Sequence, residues 1–156
     1  MKFSLKWLRE YLDFSCTLDH LSNSLTQIGL EVENINNPYN KLKDFKVSII
    51  KSLKKHPFAD KLKICEVFDG KESFQVVCGA KNARENLVTV LAPIGSYLPS
   101  LGEFGGMKIK KSIIREIESN GMLCSDSELG LSNQSDGIIE LEKNTGIGKS
   151  FSMFQD

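Results

Sequence analysis

Gly121-Met122-Leu123-Cys124-Ser125-Asp126-Ser127-Glu128-Leu129-Gly130-Leu131 reads as the end of a buried strand that turns straight into a very short helix. Gly121 permits a turn or a close backbone approach, and Met122 to Cys124 form an apolar run. Ser125 and Glu128 have capping-box spacing, in which hydroxyl and carboxylate reciprocally satisfy the orphan amides of a helix start. Gly130 stands where a left-handed residue ends a helix without a Cβ penalty. One turn of helix cannot stabilise itself, so this one must lie against something larger.

The preceding chain supplies strands. Phe45, Val47 and Ile49 alternate with Lys46 and Ser48, the period of a half-buried strand. Lys51 to Ala59 reads as a basic connection containing His56-Pro57. Leu62 to Phe68 and Ser73 to Cys78 flank Asp69-Gly70, a pair that accepts the positive φ angles of a type I′ hairpin turn. Cys78 to Arg84 leaves the sheet as a loop, Val88 to Ala92 is an apolar strand, and Pro93 to Pro99 is a rigid crossover. Gly102 to Gly106 is a loop tip, and Met107 to Arg115 reads as one long cationic strand. Asp136-Gly137 precedes a short closing strand, Ile138 to Leu141. Five main strands, a capping helix and a closing strand are the inventory of a Greek-key barrel of the OB type. The expected fold is mainly β, α+β overall, and propensity leaves a sandwich of the same strands open.

Ahead of the barrel, Leu5, Leu8 and Leu12 have helical spacing behind Ser4 as N-cap. Leu18, Leu21, Leu25 and Ile28 mark a second helix, capped by Thr17 and ended by Gly29. Leu30 to Ile35 reads as a short strand. Two helices and a strand in so few residues cannot build a core of their own. Asn36-Asn37-Pro38-Tyr39-Asn40 is a break without periodicity, and a domain boundary is expected there.

Composition narrows the chemistry. The 156 residues hold 40% hydrophobic and 26% charged side chains, ordinary for a globular chain. No apolar run approaches the ~20 residues of a membrane span, and the first residues lack a signal-peptide core, so a cytoplasmic protein is expected. Cys16, Cys65, Cys78 and Cys124 with His20 and His56 match no zinc spacing and no redox pair. Free, buried thiols and no bound metal are the expectation. His20 and His56 have no serine or cysteine nearby in a nucleophile context, and Glu116, Glu118, Asp126 and Glu128 sit where acids favour strand ends and helix starts. No catalytic constellation emerges.

Net charge is zero, yet its distribution is uneven. Eight lysines face two aspartates between Lys41 and Lys63, four cations and no acid lie from Lys108 to Arg115, and seven acids and no cation lie from Glu116 to Glu142. Such a split fits either a solvated face or a polyanion site. A barrel exposing Lys61, Lys63, Lys108, Lys110 and Lys111, with Asn82, Arg84 and Arg115 near the loops, offers a cationic groove for a nucleic-acid backbone. The aromatic candidates for base stacking are few: Phe58, Phe68, Phe74, Tyr97 and Phe104. Contacts to shape and phosphate are therefore the expected mode. Gly102-x-x-Gly105 lacks the surrounding helices of a KH domain, and Gly146-x-Gly148-Lys149-Ser150 lacks the Walker spacing.

Four ordered motifs carry a family resemblance: HPFADKLKICEV (56–67), QVVCGAKN (75–82), APIGSYLP (92–99) and IESNGMLCSDSELGL (117–131). They resemble the OB-type tRNA-binding domain of the bacterial phenylalanyl-tRNA synthetase β subunit, a domain found also in methionyl-tRNA synthetases and free-standing tRNA-binding proteins. KFSLKWLREYLDF, LSNSLTQIGLEVENI and SDGIIELEKNTGIGKSF resemble the flanks of that β subunit. The resemblance implies that residues 1–38 begin an interrupted domain, that 39–145 are the tRNA-binding barrel, and that 146–156 start the return, so the chain would stop inside a longer protein. It implies an accessory tRNA-binding role in an enzyme that joins phenylalanine to tRNA with ATP and magnesium, with tRNA and an α subunit as partners in an (αβ)2 heterotetramer. DNA and membranes are not expected partners, and no cofactor is expected in this fragment. An assembly domain with little tRNA contact and a free-standing tRNA-binding protein are the competing readings. Phe58 stands where the family has an acid, Lys81 where it has a proline, and Glu116 where it has a glycine.

Overall fold

A computed structural model describes residues 1–99, 106–134 and 136–154. The chain forms two compact units, Met1–Pro38 and Tyr39–Gln155.

In the first unit, Ser4 accepts a hydrogen bond from the Trp7 amide at 3.1 Å and opens α1, Leu5–Arg9. The expected extension to Leu12 does not form. α2 spans Leu18–Gln27; Thr17 accepts from the His20 amide, and Gly29 ends the helix at φ +93°. Neither helix buries a residue, and Trp7, Tyr11 and Ile28 are exposed. The expected strand Leu30 to Ile35 is absent, because no described segment pairs with it and a lone strand leaves its ladder groups unmet.

In the second unit one antiparallel sheet is built from β1 (Lys46–His56), β2 (Ala59–Phe68), β3 (Ser73–Cys78), β4 (Val88–Pro93) and β9 (Gly121–Leu123). Its order β3-β2-β1-β4-β9 is a Greek key, since β4 returns beside β1 after the β1-β2-β3 meander. The sheet curls until its ends meet. Asn120 N–H donates to Gln75 O at 2.8 Å, and Val77 N–H donates to Ser119 Oγ at 3.0 Å. Closure of one sheet excludes the sandwich and leaves a nearly closed OB-type barrel.

Two cores lie on opposite faces of β1 and β4. Ile50, Val67, Val76, Leu91 and Leu123 come from all five strands and fill the barrel. Phe45, Val47, Val90, Leu98, Cys124 and Phe151 form a second cluster. Val88 to Ala92 is buried throughout because it serves both. Phe151, 1% exposed, joins this second core: Val47 N–H donates to Lys149 O, and Phe151 N–H donates to Phe45 O. Burying one such phenylalanine contributes roughly 1.5–3 kcal/mol. Phe151 thus packs with Phe45 although it lies beyond residue 145 in the chain.

Three local expectations change. Lys51 to His56 is not a connection but the outer half of β1, leaving only Pro57-Phe58 between the paired residues His56 and Ala59. Asp69-Gly70 is part of a four-residue turn, because the Asp69 carboxylate caps the amides of Lys71 and Glu72 at 2.9 Å each. Residues 107–115 divide between two hairpins. β6 (Met107–Lys108) pairs with β5 (Tyr97–Leu98), and β7 (Ser112–Ile114) pairs with β8 (Ile117–Ser119) across an Arg115-Glu116 turn at φ +46° and +70°.

Candidate nucleic-acid interface

Half of the sequence-predicted residues are already committed within the protein. Lys63 donates to the carbonyls of Lys81 and Ala83 at 3.2 and 2.8 Å, bracing the loop after β3. Asn82 donates to Ile138 O at 2.8 Å and accepts from the Ile138 amide at 3.1 Å. Arg84 grips Glu140 with two hydrogen bonds, of 2.9 and 2.7 Å. The guanidinium, aided by the Asn82 amide, lowers the Glu140 carboxyl to about 2. Lys111 pairs with Glu118 at 2.9 Å and lowers that carboxyl's pKa. These bonds organise the loops and leave less charge for an external phosphate.

Lys61, Lys108, Lys110 and Arg115 are exposed, and their side chains make no ion pair or hydrogen bond among the described residues. Lys61 and Arg115 line one shallow cleft with Ala59, Asp60 and Leu62. Lys108 lies elsewhere, opposite Tyr97 on the β5–β6 pair. The predicted groove thus resolves into separate groups of cations.

His56 lies in the hairpin beside the cleft. Its Nδ1 accepts from the Phe58 amide at 3.1 Å, so the ring proton is on Nε2, which donates to Ile114 O at 3.0 Å. The imidazole, 4% exposed, ties the tip of the β1–β2 hairpin to the β7–β8 hairpin.

The model of the putative tRNA-binding domain matches residues 45–150. The chain belongs to this family.

The whole chain is also similar to proteins named phenylalanine–tRNA ligase beta subunit. The protein of Rickettsia prowazekii (strain Madrid E) is 46% identical over 99% of this chain, which covers 18% of that relative. Those of Rickettsia bellii (strain RML369-C) and Gluconobacter oxydans (strain 621H) are 48% and 44% identical over 99% and 100% of the chain, covering 17% and 19% of those proteins. The chain thus spans less than a fifth of each relative's length.

Sequence reasoning left Lys51, Lys54 and Lys55 out of the candidate set because their stretch read as a connection. Lys54 and Lys55 are exposed on the outer half of β1, and Lys51 lies 4.0 Å over the Phe68 ring. Their place in the net-positive stretch 41–63 was the available signal. Of the stacking candidates, Phe58 and Tyr97 are each 59% exposed, Phe74 packs on the barrel core, and Phe104, with the Gly102-x-x-Gly105 loop, falls outside the described residues.

All four cysteines are free, and burial, with Cys78 nearby, pushes the Cys65 thiol up to about 11; burial raises Cys78 and Cys124 too. A thiol so protonated is a poor nucleophile. Among the described residues no three His, Cys, Asp or Glu side chains gather as metal ligands, and no helix is long and apolar enough to cross a membrane.

The opening stretch is a closure. Ser125 N–H donates to Glu128 Oε2 at 2.7 Å, and Gly130 at φ +71° lets Leu131 N–H reach Asp126 O at 2.9 Å. Both ends of a single turn are capped, without a regular helix between them.

Proposed function

We propose that the chain is the accessory tRNA-binding module of a phenylalanine–tRNA ligase β subunit. The observation that carries this is the family match over 45–150, joined to near-full coverage of the chain by relatives of that name. The parent enzyme would join phenylalanine to tRNA using ATP and magnesium in the cytoplasm, with an α subunit in an (αβ)2 heterotetramer. No residue of this chain is assigned to ATP or magnesium. Residues 1–38 would begin a domain that the barrel interrupts, with 146–156 starting the return.

Lys61, Lys108, Lys110 and Arg115 are the proposed phosphate contacts, because their charges are not spent internally. Lys63, Asn82, Arg84 and Lys111 would shape the loops and touch tRNA less. That internal use also favours the second reading, an assembly domain with little tRNA contact. Titrating tRNA into the wild-type chain and a Lys108→Glu, Lys110→Glu variant at low salt separates the two. Weaker binding by the variant supports the module; equal binding, or none by either protein, favours the assembly role.

A further inference from the structure

We infer that Phe58, at the tip of the β1–β2 hairpin, is a stacking platform for an unpaired RNA base whose flanking phosphates meet Lys54, Lys55, Lys61 and Arg115; this rests on the RNA-binding reading above. Phe58 is 59% exposed, although water disfavours an aromatic ring on a projecting tip. The tip is rigid. Pro57 fixes its own φ, and the Phe58 amide is held by His56 Nδ1 at 3.1 Å. The phenyl ring meets the His56 ring edge-on, with centroids 6.3 Å apart at 67°. Little conformational freedom remains to be lost when a base covers an exposed face.

The surroundings select an anionic partner. Lys55 lies across the strand pair from Lys63, so two cations belong to this part of the β1–β2 hairpin. Lys63 turns its ammonium to the carbonyls of Lys81 and Ala83, while Lys55 remains exposed without a carboxylate among the described residues. Lys61 and Arg115 share the cleft beside the tip with Asp60. Glu116 follows Arg115 in the chain, so among these named residues four exposed cations stand against two acids. An exposed aromatic ring on a hairpin that carries exposed cations is the combination that binds single-stranded nucleic acid.

Fluorescence anisotropy can compare the 156-residue wild type, Phe58→Ala and Phe58→Trp for three ligands: tRNA, a short single-stranded oligoribonucleotide and an RNA duplex of the same length. Loss of one stacked base is expected to weaken single-strand binding by roughly 5- to 100-fold in Phe58→Ala. Duplex binding should stay unchanged, and Phe58→Trp should keep the wild-type affinity. Equal single-strand binding by Phe58→Ala and wild type overturns the stacking role, as does an equal loss for duplex and single strand. If wild type binds tRNA but Phe58→Ala is indifferent, only the platform fails; if wild type binds no tRNA even at low salt, the module reading fails.

Discussion

Asp69→Asn should destabilise the barrel at neutral pH and cease to matter at pH 2. Asp69 is 3% exposed on the turn between β2 and β3, and it accepts from the Lys71 and Glu72 amides and from Lys46 at 2.6 Å. Burial alone would raise its pKa. The Glu72 amide, the Lys46 ammonium and the Lys71 amide outweigh that effect and lower the carboxyl from an ordinary 3.8 to about 2. The folded chain therefore binds fewer protons than the unfolded chain between those values, and stability present above pH 4 is lost as pH falls to 2. The difference corresponds to about 2 kcal/mol.

Asparagine retains an acceptor for the two amides but loses the charge that Lys46 faces. Urea unfolding of both proteins, followed by far-UV circular dichroism from pH 7 to pH 2, measures the gap between them. It should be about 2 kcal/mol at pH 7 and close towards zero by pH 2. A gap of the same size at both ends of the range would refute the reasoning, because titration of Asp69 could not then be its source. Using the difference between the proteins removes the contribution of every other titrating carboxylate they share.

Glu116→Gly should stabilise the chain by about 1 kcal/mol in the same urea assay, because a residue with a Cβ is held at φ +70° there. Thr89→Val should stabilise by about 1 kcal/mol, measured by thermal unfolding, because the fully buried Thr89 Oγ1 makes no hydrogen bond among the described residues. Phe151→Ala should cost about 3–5 kcal/mol, since it empties a site in the second core. Near-wild-type unfolding of that last variant would contradict the packing of Phe151 with Phe45.

Elements written in local signals were legible. Thr17 and Gly29 bracket α2 as expected, and β3 runs over Ser73–Cys78 as its apolar pattern indicates. The outer half of β1 was hidden because a register shift between Ile50 and Ser52 breaks the period of two, and Lys51, Lys54 and Lys55 are exposed. The Arg115-Glu116 turn carries none of the Asn-Gly chemistry that marks such a hairpin. Phe151 gives no local sign that it will reach the core beside Phe45.

The candidate site was legible as a set of charges and not as a surface. Arg84 finds Glu140 fifty-six residues away, so no sequence window reveals that its charge is spent. Lys63 is committed to a loop that only the sheet brings near. His56, read from the sequence as part of a basic connection, instead joins two hairpins through both ring nitrogens.

The salt dependence of tRNA binding by the 156-residue chain tests the central claim most directly. If Lys61, Lys108, Lys110 and Arg115 each neutralise a phosphate, they should contribute about −3 to −4 to the slope of log K against log salt, taking roughly −0.7 to −0.9 per contact. Their joint replacement by glutamine should make the slope shallower by about 3 to 4, leaving the share carried by Lys54 and Lys55. A tRNA affinity that does not change with salt, or no tRNA binding even at low salt, would contradict the account.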